Sequence, residues 1–184
     1  MTFKQLPARV YTLFLTFRVF STIAKHSLIA IFKSRFSTLT RDAANRHFRQ
    51  GSRKVIKILK AHCDLKTCAS FQFRAKTAYI FMSNHLSLLD IPVLYALLPS
   101  NIRFMPKQQL FDIPLFGKAM AAAECMMVNR DSPHKDLDLF KVAREKLMSG
   151  LMLWIFPEGT RSSPQQLLPF KLGGFRLAQE AGAV

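Results

Sequence analysis

The sequence predicts a layered α/β fold with substantial parallel strand pairing, and three features carry that prediction. From residue 70 onward strand-like and helix-like runs take turns, as they do where helices cover a largely parallel sheet. Leu151-Met152-Leu153-Trp154-Ile155-Phe156 is apolar throughout, as expected of a strand covered on both faces. Several strand-like runs also hand over directly to polar loops, which is where α/β sheets open their ligand crevice.

Taken in order, the chain begins with a mostly apolar stretch from Val10 to Phe32 that Arg18, Lys25 and His26 interrupt. It lacks the continuous apolar core and cleavage site of a signal peptide, and two cations near the bilayer centre disfavour a spanning helix. Arg18 and Lys25 lie seven residues apart, hence on one helical face. The stretch is therefore expected to be an amphipathic or partly inserted helix on the cytoplasmic leaflet, with a true span and a core helix as alternatives. Nine Lys or Arg follow between residues 33 and 60, completing a basic amphipathic membrane-associated segment over 1–60. In the domain expected over 61–184, Phe71 and Phe73 alternate with Gln72 and Arg74 as an edge strand would. Further strands are expected at 78–83, 102–105, 125–129 and 151–156, and helices at 88–98, 112–121, 136–149 and 172–182.

Composition narrows the partners. Hydrophobic residues at 49% with 17 Phe exclude a disordered chain. The formal charge of +16 calls for an anionic partner, and residues 1–60 carry +12 of it, against +4 for residues 61–184. Those N-terminal cations are interleaved with bulky apolar residues, which suits a bilayer surface better than nucleic acid. Cys63, Cys68 and Cys125 show no metal-ligand spacing and read as reduced, cytosolic-side packing residues.

Chemistry concentrates in polar loops behind the strands. In Ser83-Asn84-His85-Leu86-Ser87-Leu88-Leu89-Asp90, the pair Ser87 and Asp90 fits an S-x-x-D capping box that starts a helix. Asp90 would then sit in the first turn, near enough to accept the proton of one His85 nitrogen and leave the other free as a base. On its own this spacing is weak, and a capping box beside a bystander histidine is the plainer explanation of it. A second loop, Phe156-Pro157-Glu158-Gly159-Thr160-Arg161-Ser162, joins turn-forming Pro and Gly to a guanidinium fork suited to phosphate or carboxylate. Lys107 follows one expected strand and Arg130 ends another, so both would reach the same sheet edge.

At these residues the chain resembles the 1-acyl-sn-glycerol-3-phosphate (lysophosphatidic acid) acyltransferase family of the PlsC type. Asn84-His85-x4-Asp90 is similar to its N-H-x4-D block, and Phe156 to Ser162 to its F-P-E-G-T-R-S block. Lys107-x2-Leu110-x6-Gly117-x12-Arg130 matches a third block at full spacing. The residue before Arg130 is Asn129, where many members carry Asp. Members also continue past the position of Val184 into a further strand, so the chain is expected to be C-terminally truncated.

The resemblance, which covers roughly residues 40 to 184, implies a layered αβα acyltransferase fold with a mixed, largely parallel sheet. It implies transfer of a fatty acyl group from acyl-CoA or acyl carrier protein to the sn-2 hydroxyl of 1-acyl-glycerol-3-phosphate, giving phosphatidic acid, without metal or cofactor. His85 and Asp90 would be catalytic, with Lys107, Arg130, Glu158, Gly159, Thr160 and Arg161 binding substrate. Asn84, Ser87, Gly117 and Pro157 would give structural support. The expected partners are a phospholipid membrane, lysophosphatidic acid and the acyl donor, not nucleic acid, and the oligomeric state stays open. The rivals are a related acyltransferase acting on glycerol-3-phosphate or another lysolipid and, more remotely, a non-catalytic basic protein that binds membranes or nucleic acid.

Overall fold

A computed structural model describes residues 7–36, 39–66, 72–74, 77–98, 101–127, 136–163 and 166–184. Its sheet is built from β1 (Ile80–Met82), β2 (Ile102–Phe104) and β3 (Met152–Ile155), ordered β1-β3-β2 with both pairings parallel. The register sets Phe81 opposite Trp154 and Arg103 opposite Leu153. Among the described residues the strands are thus wholly parallel rather than mixed. The free side of β1 is bridged by the last residue: the Val184 amide donates to the Ala78 carbonyl at 3.0 Å, and the Ile80 amide to the Val184 carbonyl at 3.1 Å.

Alternation along the strands divides the core into two layers. Leu153, Ile80 and Ile155 pack with Leu147 and Ala143 of α6 (Asp136–Met148) and Leu177 of α7 (Gly173–Ala181). On the opposite face Met152, Trp154, Ile102 and Phe104 meet Tyr95 and Leu94 of α3 (Asp90–Leu97) and Phe48 of α2 (Arg41–Leu59). Helices on both faces of the sheet give the αβα layering. Through Phe48, α2 thus contributes to the same core layer as β2 and β3.

Two expected elements differ. The helix anticipated over 112–121 starts only at Phe116, as α5 (Phe116–Ala122), and a separate short helix α4 (Gln108–Phe111) precedes it, because Pro114 cannot donate to a continuing helix and restrains the residue before it. Gly117 lies so close to the Phe111 carbonyl that a Cβ there would collide with backbone. Residues 125–127 do not join the sheet: the Cys125 amide is taken by Met120 of α5 at 2.9 Å, while Met126 is buried in the α6–α7 layer. Residues 128 and 129 of that expected strand lie outside the described residues, as does Phe71 of the expected edge strand, whose residues 72–74 are not in the sheet.

The N-terminal helices reverse the expected pattern. Helix α2 is the amphipathic one. Its start is capped by the Thr40 hydroxyl, which accepts from the Ala43 amide at 3.2 Å; it buries Ala44, Ser52 and Val55 and exposes Arg46, Arg53, Lys54 and Lys57. Helix α1 (Ala8–Arg35) has apolar residues all round instead. It turns small or polar residues such as Ser27 and Ala30 inward, crosses α2 where Gly51 makes room for the His26 ring, and shows Leu13, Phe17, Phe20, Leu28 and Phe32 to the outside. With 28 residues, it is long and apolar enough to cross a membrane by length and composition.

Two polar nodes tie α2 to the rest. Arg103 is fully buried; its Nε donates to the Ala123 carbonyl at 2.6 Å, and its Nη1 to Asn45 Oδ1 at 2.8 Å and to the Ile102 carbonyl at 2.9 Å. Carbonyl and amide dipoles, together with the Phe48 ring 5.3 Å away, surround this cation. At the start of α2, Arg41 forks onto both Glu124 oxygens at 2.7 and 2.9 Å. Glu124 adopts φ 65° just past α5, where glycine is usual, and its carboxylate thereby reaches Arg41 and Lys146.

Hydrogen bonding and the charge of Arg41 outweigh burial and hold the Glu124 carboxyl at about 2. A depressed carboxyl stabilises the fold above its ordinary value, and that contribution is lost as pH falls toward about 2. Glu124→Gln should therefore be less stable than wild type near neutrality by on the order of 1–2 kcal/mol, allowing for its partial exposure, with the gap closing on acidification. Denaturant titrations of both proteins across pH test this. Gly117→Ala should cost about 3 kcal/mol, since backbone rather than a mobile side chain must move, and the same titration at neutral pH reads it.

Candidate active site

Parallel pairing sends the chain out of β1 and β3 at the same sheet edge. Met82 lies opposite Ile155, the Ser83 amide still donates to the Ile155 carbonyl at 3.4 Å, and Trp154 Nε1 donates to the Ser83 hydroxyl at 3.0 Å. His85 and Phe156 therefore emerge side by side, and their rings stack at 4.1 Å between centroids with 15° between planes.

The next turn holds the His85 ring edge. Its Nδ1 is 2.8 Å from Asp90 Oδ2, and the same oxygen accepts from the Leu86 amide at 2.9 Å and the Ser87 amide at 3.0 Å. An ionised carboxylate as partner fixes the proton on Nδ1, which leaves Nε2 with its lone pair. Burial by itself raises the Asp90 carboxyl, but the Ser87 amide, the His85 ring and the Leu86 amide more than offset it and keep the group below its ordinary value. The capping geometry is half of the expected box. Asp90 reaches back to the Ser87 amide, while the Ser87 hydroxyl accepts from Leu89, two residues on, at 3.1 Å rather than from the third turn residue.

The loop after β3 braces the His85 backbone. The Ser162 amide donates to the His85 carbonyl at 2.8 Å, and the His85 amide donates to the Glu158 carboxylate. Glu158 is only 3% exposed and also accepts from the Leu168 amide at 2.8 Å and the Ser162 hydroxyl at 3.2 Å. These donors, led by the Leu168 amide and opposed by burial, lower its carboxyl. The carboxylate is thus committed to shaping the loop. The Gly159 amide closes a turn on the Phe156 carbonyl at 2.9 Å, with Gly159 at φ 73° and Pro157 inside that turn. Pro157 itself is buried, and its carbonyl accepts from the Lys171 amide at 2.8 Å.

The remaining candidates divide. Arg161, beside the Ser162 amide that bonds His85, is exposed at the rim together with Thr160. Asn84 is exposed, and its carbonyl accepts from the Ser83 hydroxyl at 3.0 Å. Lys107 is exposed at the start of α4, three residues beyond β2 and so past the same sheet edge. Gly117 supports the α4–α5 corner. Arg130 and Asn129 lie outside the described residues. Sequence reasoning passed over Phe156 as a neighbour of the histidine, although its place as the first residue after an apolar strand was the available signal.

Comparison with known proteins identifies the family. A family model described as "Acyltransferase" matches residues 66–184. The chain is 37% identical over 118 residues to a 1-acyl-sn-glycerol-3-phosphate acyltransferase of Helicobacter pylori, covering 64% of this chain and 48% of that one. It is 38% identical over 106 residues to a chloroplastic enzyme of the same description from Brassica napus, covering 58% and 30%. A Saccharomyces cerevisiae relative of that description is 37% identical over 109 residues, covering 58% and 36%. The chain therefore spans about half or less of the length of these relatives. Its fold is like that of the crystal structure of the 1-acyl-sn-glycerophosphate (LPA) acyltransferase PlsC from Thermotoga maritima, with a TM-score of 0.71 at 22% identity over 95% of this chain and 70% of that one. A family match over most of the chain, on a fold that joins the histidine loop to the Glu-Gly-Thr-Arg loop, makes this protein a member of the acyltransferase family.

Proposed function

We propose that this protein moves a fatty acyl group from a thioester donor to the sn-2 hydroxyl of 1-acyl-glycerol-3-phosphate, giving phosphatidic acid. The observation that carries the reading is the His85 imidazole, tied through Nδ1 to Asp90 and gripped by the loop that bears Arg161. The three relatives described above carry names that specify the same acceptor.

In this mechanism His85 Nε2 takes the proton of the acceptor hydroxyl as its oxygen attacks the thioester carbonyl. Asp90 holds the tautomer and stabilises the imidazolium that forms. The tetrahedral adduct collapses by breaking the carbon–sulfur bond, and the imidazolium returns its proton to the departing thiolate. The acceptor is itself the nucleophile, so Ser87 is left to its turn, and the steps use neither cofactor nor metal. Arg161, Lys107 and Arg130 bind the acceptor phosphate, for which a guanidinium fork is well shaped. The donor is acyl-CoA or acyl carrier protein.

The outward aromatic stripe of α1 beside the cations of α2 supports association with the cytoplasmic leaflet, where the acceptor resides. Apolar side chains enter the acyl boundary while basic ones meet anionic headgroups.

His85→Ala should lower kcat at least about 10³-fold in an assay of labelled acyl transfer to lysophosphatidic acid, and near-normal turnover would remove His85 as the base. In the same assay Arg161→Ala should mainly raise KM for the phosphorylated acceptor. Glycerol-3-phosphate and other lysolipids as alternative acceptors identify the substrate, and faster transfer to one of them would overturn the stated acceptor. Phe17→Ser together with Phe20→Ser should reduce co-sedimentation with anionic vesicles, whereas unchanged binding would take α1 out of the membrane contact.

A further inference from the structure

The hydrogen bond to Asp90 leaves one motion of the His85 ring open. Joined to the backbone through Cβ and held by one hydrogen bond at Nδ1, the ring can still tilt through small coupled rotations of its two side-chain torsions, and that tilt carries Nε2 across the crevice. Toward one side that tilt is blocked by the face of Phe156, 4.1 Å away and nearly parallel. Phe156 is backed in turn by Phe104 of β2, at 5.8 Å and 18°. Phe104, 6% exposed, meets Tyr95 edge to face at 5.1 Å, and Tyr95 stacks on Phe48 of α2 at 4.6 Å. A continuous column of rings thus runs from α2 through the core to the imidazole.

We propose that Phe156 is a positioning residue for the acyl transfer, with Phe104 as its backstop: the ring column sets the direction in which His85 Nε2 points. This rests on the reading of His85 as general base. The contact also changes character during the reaction. Neutral imidazole stacks on Phe156 only weakly, but once His85 has taken the hydroxyl proton it is a cation against a π face, an arrangement aromatic rings favour. The interaction is therefore stronger in the transition state than before it, so its loss falls on kcat rather than on binding. A misplacement of about 1 Å at a reacting atom is enough to cost about 100-fold.

The test compares Phe156→Leu, Phe156→Trp, Phe104→Leu, His85→Ala and the double variant F156L/H85A in the 184-residue chain. Phe156→Leu should lower kcat about 10- to 100-fold with KM for lysophosphatidic acid within about twofold, and Phe156→Trp should recover most of it. Phe104→Leu, one ring further back, should show a smaller loss of the same kind, and it keeps the proposal testable should Phe156→Leu fold poorly. F156L/H85A should be no slower than H85A alone, because a ring that acts only by aiming the imidazole has nothing left to aim. The carbon-bound imidazole protons of His85, shifted upfield by the Phe156 ring current in the wild-type NMR spectrum, should move downfield in Phe156→Leu with no substrate present. Full kcat in Phe156→Leu, an equal further loss in the His85→Ala background, or a loss confined to KM would overturn the positioning role. A fully active His85→Ala would overturn the underlying base assignment instead, and the two failures are distinguished by that single variant.

Discussion

Everything at the site depends on β1 and β3 running in the same direction as immediate neighbours. Parallel neighbours end at the same sheet edge, so two loops more than 70 residues apart in sequence are delivered into hydrogen-bonding contact. Had the pair been antiparallel, the histidine loop and the Glu-Gly-Thr-Arg loop would have left from opposite ends of the sheet. From that one adjacency follow the Ser162 bond to the His85 carbonyl, the Glu158 bond to its amide and the Phe156 ring on its face. The His85 backbone is consequently held at both its carbonyl and its amide before any substrate contributes.

The division of labour among the acidic residues follows from what each carboxylate touches. Asp90 spends one oxygen on the imidazole and on two turn amides, so the group that orients the ring also builds the turn that carries it. Glu158 lies within a motif that would serve a ligand-binding loop, yet its oxygens face inward onto the protein's own donors. Glu124 lies far from both loops in sequence and joins α5 to the start of α2. The donors around these three groups favour their charged forms.

Much of this was legible in advance, for identifiable reasons. The central strand could be read from Leu151 to Phe156 because a strand buried on both faces has no polar side to show. The Asp90 contact with His85 followed from the reach of a first-turn carboxylate. The strand expected at 125–129 was not found over 125–127, because a short apolar run reads alike whether it joins a ladder or inserts one Met126 side chain into the core. Arg103 was invisible as a core residue, since a lone cation in an apolar strand looks like an edge position. Only the arrival of Asn45 and the Ala123 carbonyl gives its guanidinium somewhere to be buried.

The α/β alternation, the basic and apolar character of the N-terminal segment and the residue types in each polar loop can all be read from the chain, because they depend on local periodicity, charge and turn chemistry. Which face of α1 turns outward, the place of α2 in the core and the contact of Phe156 with His85 are settled only when the chain is folded. Those are relations between residues distant in the chain. They are fixed by which surfaces must cover the two faces of one small sheet, and no local pattern encodes them.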